Sequence, residues 1–284
     1  MSSFAIVTDS TANLPKAFIE KQGIYVLPLT WISGEKEYSG SMEGEREAYA
    51  LFYEKLRKEK HISTSMSNQR VAQKLVQKLL SEEKDILYIG LSSKLSGTFH
   101  MMERVLGYEA KKYPERKWYA VDSFAIGLGE GSLVFDAAKI RRRGEEIGAA
   151  YAWCCQRRWR LHTLFTVDDL GFLRRSGRAN AVLSTAGSVL KIKLLFSMQD
   201  GGKLRQVGKV RGRKKALQEL TTQALTGLTE PQTIYISHGD CHEDACYVAK
   251  QMEKSEFVKK IIMQPLDPVS ACHTGPNSIG IFFV

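Results

Sequence analysis

The chain alternates short apolar runs with amphipathic stretches, and each switch is marked by Ser, Thr, Asp, Gly or Pro. Phe4 to Thr8 predicts a first strand. Asp9-Ser10-Thr11-Ala12-Asn13-Leu14-Pro15 follows, with Pro15 placed to start a helix and Asp9 at the carboxyl end of the strand as either a capping or a site residue. Tyr25 to Trp31 predicts a second strand, ahead of a turn at Ser33-Gly34-Glu35-Lys36 and a short edge strand near Tyr38. From Glu43 to Lys58, Ala48, Leu51, Phe52 and Leu56 keep helical spacing between charges. Ile62 to Asn68 reads as a hydroxyl-rich loop leading into a helix marked by Val71, Leu75, Leu79 and Leu80. The most informative stretch is Asp85 to Thr98. Its apolar run, Ile86 to Leu91, stops at Ser92-Ser93, and a helical pattern resumes after Ser96-Gly97-Thr98. Trp118 to Val121 then ends in Asp122-Ser123, repeating the Asp-Ser that closes the first strand. This alternation predicts a parallel sheet covered by helices on both faces, with further helices over 127–143 and 145–159.

The pattern changes after Arg160. Leu161 to Val167 predicts a strand, Asp168 to Arg175 a short helix, and Ser176-Gly177-Arg178 a turn that delivers an arginine. A small-residue helix is expected over Ala181 to Leu190. Two apolar runs, Ile192 to Met198 and Leu204 to Val210, flank Gln199-Asp200-Gly201-Gly202, a strong hairpin signal. A basic helix over Arg211 to Leu225, a strand over Thr233 to Ser237, a helix over His242 to Glu253 and a strand over Val258 to Met263 follow. Val269 to Asn277 reads as a polar turn before a last strand, Ile279 to Val284. The expectation is an α/β protein of two α/β domains. Residues 1–160 carry a mainly parallel sheet and residues 161–284 a mixed or antiparallel sheet with helices.

Composition narrows the class. Hydrophobic residues make up 43% and charged residues 25% of the 284, ordinary values for a globular chain. No apolar run approaches the roughly 20 residues that span a bilayer, so no transmembrane segment is expected. The start, MSSFAIVTDS, lacks the features of a signal peptide, which places the protein in the cytoplasm. Five cysteines without framework spacing fit that placement as reduced thiols. Cys241, Cys246, His238 and His242 match no common zinc spacing, so no metal is expected. The net charge of +10 is concentrated in Arg141 to Arg143, Arg157 to Arg160 and Lys203 to Lys215. These clusters carry no nucleic-acid motif and read as a solvated basic face, with no nucleic-acid partner expected.

The chemistry-bearing residues gather at strand ends. In an open α/β sheet, ligands sit beyond the carboxyl ends of the strands, where amides, hydroxyls and helix N-termini converge. The serines and threonine of 92–98 suit an anionic oxygen there, and they suit a capped turn equally. Ser96 with His273 and Asp9 or Asp122 can be drawn as a serine-dependent hydrolase acting on a lipid-like ester. No G-x-S-x-G elbow frames these serines, however, and no GxxxxGK[ST] loop serves a phosphotransferase.

Thr8 to Pro15, Thr64-Ser65, Ser92 to Thr98, Val121-Asp122-Ser123, Leu173 to Arg178 and His273-Thr274-Gly275-Pro276 stand in the order and spacing of the DegV family of bacterial fatty-acid-binding proteins, which the chain resembles over nearly its whole length. The resemblance implies a lipid carrier without catalytic residues that encloses one long-chain, palmitate-like fatty acid in an interdomain tunnel and needs no other cofactor. It assigns Thr64 and Ser96 to the carboxylate and Arg178 and His273 beside it, with Ser93 and Thr98 of the same turn counted as ligand-binding. It also implies a partner, an ATP-dependent fatty acid kinase subunit to which the acyl carboxylate is presented. Leu164, Phe165, Leu170, Phe172 and Leu173, and beyond Arg178 also Leu183, Val189, Leu194 and Phe196, are the expected tunnel residues. Met66-Ser67, Ser176-Gly177 and Pro276-Asn277 depart from the Gln-Pro, Gly-Gly and Pro-Gly common in the family, and flexible Met66 is expected to extend the pocket wall.

Overall fold

A computed structural model describes residues 4–41, 46–59, 62–178 and 192–284. The expected helix over Ala181 to Leu190, and with it Leu183 and Val189, lies outside the described residues.

The first sheet contains β1 (Ala5–Asp9), β2 (Ile24–Leu27), β6 (Ile86–Gly90) and β7 (Trp118–Asp122). All neighbours are parallel, in the order β2-β1-β6-β7. Every residue of β1 and β6 is buried, so these strands read as apolar runs without polar alternation. Ile6, Leu87 and Ile89 face α5 (Leu128–Arg142) and α6 (Ile147–Arg157). Val7, Ile86 and Tyr88 face α3 (Gln69–Ser81) and α4 (Thr98–Glu109). A parallel sheet with helices on both faces is therefore observed. Its order reverses direction between β1 and β6, which opens a crevice at their carboxyl ends.

The second sheet runs β10-β9-β8-β13-β11-β12. It is built from β8 (His162–Thr166), β9 (Ile192–Gln199), β10 (Lys203–Arg211), β11 (Gln232–His238), β12 (Val258–Pro265) and β13 (Ile279–Phe283). Only the β11–β12 pair is parallel, so the sheet is mixed. In the β9–β10 hairpin, Asp200, Gly201 and Gly202 all take positive φ, as the Asp-Gly signal requires. Strand β10 ends the sheet, and its register slips between Gln206 and Gly208. Leu195, Ile236 and Ile281 pack under α8 (Arg213–Gly227) and α9 (His242–Met252). Side chains of the opposite face, such as Phe165, Tyr235 and Phe282, turn towards the first sheet's side of the molecule. Asn13, in a left-handed conformation, joins the two layers: it donates to the Pro265 carbonyl at 2.7 Å and accepts from Ser237 Oγ at 3.0 Å.

A third, three-stranded antiparallel sheet was not expected. Tyr25 to Trp31 is two strands, because Pro28 has no N–H to continue a ladder. Residues 24–27 stay in the first sheet, whereas β3 (Thr30–Ser33) pairs with β4 (Lys36–Ser39) and β5 (Ile62–Ser65). Ile62 to Ser65, read as loop, is thus an extended strand whose partner lies about thirty residues earlier, Trp31 opposite Thr64. This sheet carries α2 (Arg46–Lys58) through Trp31, Phe52, Tyr53 and Leu56. Most of the expected polar turn at Val269 to Asn277 is helical: α10 (Pro268–Thr274) starts with Pro268, and the Asp267 carboxylate accepts the Ser270 N–H at 2.9 Å. Two shorter helices, α1 (Lys16–Gln22) and α7 (Leu170–Ser176), complete the set described.

Candidate functional site

Three segments converge beyond the carboxyl ends of β1 and β6. The first follows β6, where Ser92 to Gly97 turns into α4. Ser96 Oγ accepts the Thr98 N–H at 3.2 Å and lies 3.0 Å from Thr98 Oγ1. When Thr98 donates to it, Ser96 keeps its own proton for a ligand. Ser92 Oγ donates to the Gly202 carbonyl at 3.1 Å, which ties this turn to the β9–β10 hairpin of the other sheet. Only glycine fits at 202, since its φ is +94° and a Cβ would meet Ser92 Oγ at 2.2 Å.

The second element is the end of β5. Met66 Sδ lies 3.5 Å from where a Cβ on Gly97 would stand, so this strand end abuts the turn that carries Ser96. Thr64 Oγ1 is 2.8 Å from His273 Nε2, and His273 comes from the third element, α10. Burial, reinforced by the Arg178 guanidinium, pulls His273 down to about 4, so the ring is neutral. Its Nδ1 is buried without a partner. A bare lone pair is less costly to bury than a bare N–H, so the network assigns the proton to Nε2. His273 then donates to Thr64, whose own hydroxyl proton is left to give. Arg178, just past α7, is exposed, and its Nη1 donates to the Ser176 carbonyl at 2.6 Å.

These groups line one cavity of about 720 Å³, counted with its open mouth. Thr64, Ser96, Arg178 and His273 all reach it. Ser93 and Thr98 are not in its wall. The Ser93 amide is held by the Asp122 carboxylate at 3.2 and 3.3 Å, and Thr98 is fully buried behind Ser96. Of the expected tunnel residues, Phe165 and Leu173 line the cavity. Leu164 faces the opposite side of its sheet, and Leu194 and Phe196 pack in one layer with Leu173 and Phe165 but are not in the lining. Leu170 packs against that same layer, and Phe172 lies by α2 and α10.

The sequence reading missed Thr11, Leu29, Leu91, Ile126, Val269 and Ser270, which also form the wall. Their common signal is position, one to four residues past a strand end or in the first turn of a helix. Met66 does extend the wall and is half exposed. The hydrolase arrangement is not assembled among these residues. Ser96 bonds Thr98, His273 bonds Thr64, Asp9 is bound to Thr11 and Leu91, and Asp122 holds Ser93 and Phe124.

A parallel and a mixed α/β sheet are joined by loops that enclose an apolar cavity with hydroxyls in its wall, which defines a two-layered α/β protein with a candidate binding cavity. Residues 3–284 match the profile of the DegV family, described as uncharacterised proteins. A DegV domain-containing protein of Clostridium perfringens is 34% identical, covering 100% of this chain and 98% of that one. The chain belongs to the DegV family. A DegV family protein from Thermus thermophilus, described by its fatty acid binding, superposes with a TM-score of 0.86 at 26% identity, over 99% of this chain and 98% of that one. A DegV family protein from Ruminococcus gnavus, solved with vaccenic acid, shares the fold with a TM-score of 0.90 at 18% identity, over 100% of both chains.

Proposed function

We propose that the protein binds a long-chain fatty acid in this cavity. The carboxylate accepts from Thr64 and Ser96, Arg178 supplies positive charge at the mouth, and neutral His273 orients Thr64. The acyl tail lies along Leu29, Leu91, Ile126, Phe165 and Val269. The observation that carries this reading is the pairing of an apolar wall with two hydroxyls placed to donate beside an arginine. The Thermus thermophilus relative, described by its fatty acid binding, supports the ligand class. Tail burial at roughly 0.8 kcal/mol per methylene dominates affinity, so the head-group contacts chiefly fix orientation. In this reading residues 1–160 and 161–284 are the two domains that hold the acid. The protein works in the cytoplasm, and the exposed mouth presents the carboxylate to an ATP-dependent kinase subunit.

Native mass spectrometry of the purified protein, with extraction and identification of the released molecule, is the test. The expected result is an acid of about 16–18 carbons, whose tail contributes on the order of 10 kcal/mol. Ser96→Ala and Thr64→Val should each weaken binding about tenfold, the scale of a hydrogen bond to a charged group. An empty protein that ignores added long-chain acids overturns the reading, and unchanged affinity in both variants overturns the head-group assignment.

A further inference from the structure

Behind the cavity wall, at the end of β1, two carboxyl groups meet around a single hydroxyl. Thr11 Oγ1 is 2.5 Å from Asp9 Oδ1 and 2.9 Å from Glu130 Oε2. A threonine hydroxyl has one proton and can donate to only one of them. Were both carboxyls ionised, one of these contacts would set acceptor against acceptor inside a fully buried site.

We propose that Asp9 and Glu130 share one proton, that Glu130 carries it, and that neutral Glu130 positions Thr11 in the cavity wall. The partners decide which acid keeps the proton. Asp9 accepts the backbone N–H groups of Thr11 at 3.0 Å and Leu91 at 3.1 Å, and the Tyr88 hydroxyl lies at 3.4 Å. Backbone donors of this kind favour a carboxylate. Glu130 meets only hydroxyls, with Thr8 Oγ1 donating to its Oε1 at 2.9 Å. The chain of donors therefore runs from Glu130 Oε2–H to Thr11 Oγ1, and from Thr11 Oγ1–H to Asp9 Oδ1.

The surrounding charges favour the same count. Tyr88 of the first sheet acts on Asp9 and Asp267 at the start of α10 acts on Glu130, while Asp122 acts on Tyr88. No lysine, arginine or histidine hydrogen-bonds either carboxyl among the described residues. Burial pushes both acids up. For the cavity the result is specific. Thr11 and Leu91, two wall residues, are both fixed by this pair, and the Thr11 hydroxyl has no proton left for a ligand. Thr11 then adds no donor to those that Thr64 and Ser96 offer a head group. That last step rests on the proposed ligand, whereas the proton count does not.

Two measurements on the full chain test it without any fatty acid. In the infrared difference spectrum at pH 7, Glu130→Gln should remove a protonated-carboxyl C=O band present in the wild type. In thermal melts, Glu130→Gln should rescue the fold, because its amide donates to Thr11 and accepts from Thr8 as the neutral acid does. Its midpoint should stay within about 2 °C of wild type, while Asp9→Asn, whose amide turns a donor against backbone N–H groups, falls by about 5 °C or more. An unchanged carboxyl band in Glu130→Gln, equal losses in the two variants, or the reverse order overturns the proposal.

Discussion

His273 shows how one side chain serves both site and stability. Its ring is held at about 4, below the ordinary 6.5, by burial first and by Arg178 second. A histidine kept neutral in the fold but free to charge when unfolded adds stability that is complete above pH 6.5. That stability drains away as pH falls from 6.5 towards 4. Urea melts across this range should show that slope, and His273→Gln should flatten it. A slope unaltered by the substitution would remove His273 as its source. At this scale part of the candidate site was legible, since Thr64, Ser96, Arg178 and His273, which all reach the cavity, fall in motifs whose order in the chain is distinctive. Thr11 and Ser270 were not, because a buried wall hydroxyl looks like a capping hydroxyl until the opposite wall is known.

Close approach between elements fixes how α5 meets the turn after β1. Helix α5 begins under the turn that follows β1, and Gly131 is its point of contact. A Cβ there would lie 2.4 Å from the Ala12 carbonyl oxygen, a backbone atom with no freedom to retreat. Gly131→Ala should therefore destabilise the protein by about 1–3 kcal/mol in denaturant melts, despite alanine's better helix propensity. A neutral or stabilising result would show that the helix can shift away. The elements themselves were largely readable from apolar runs and turn signals, as the buried strands β1 and β6 and the Asp-Gly hairpin illustrate. The exceptions share a cause. Residues 62–65 carry only one strong apolar side chain, so their extended conformation comes from pairing with β3 and not from local pattern. The start of α10 was masked by its polar residues, although Asp267-Pro268 followed by Ser270 is good helix-start chemistry.

Across the whole molecule, the strand order β2-β1-β6-β7 puts the site at its reversal point, and the second sheet closes the crevice from the other side. That closure depends on contacts between residues as far apart as Ser92 and Gly202 or Asn13 and Pro265, which no local pattern announces. The outermost strand of the second sheet has a further consequence. Among the described residues, strand β10 has one side of its backbone unpaired, a template on which a foreign strand can grow. It bears Lys203, Arg205, Lys209 and Arg211, all exposed, and its ladder is interrupted near Val207. Charge and irregularity on such a border repel an incoming chain and spoil its register. Part of the basic surplus is thus a guard against self-association. Replacing these four residues with serine should leave the melting temperature close to wild type yet increase light scattering of concentrated protein on standing; solutions as clear as wild type would strip the strand's charges of that duty.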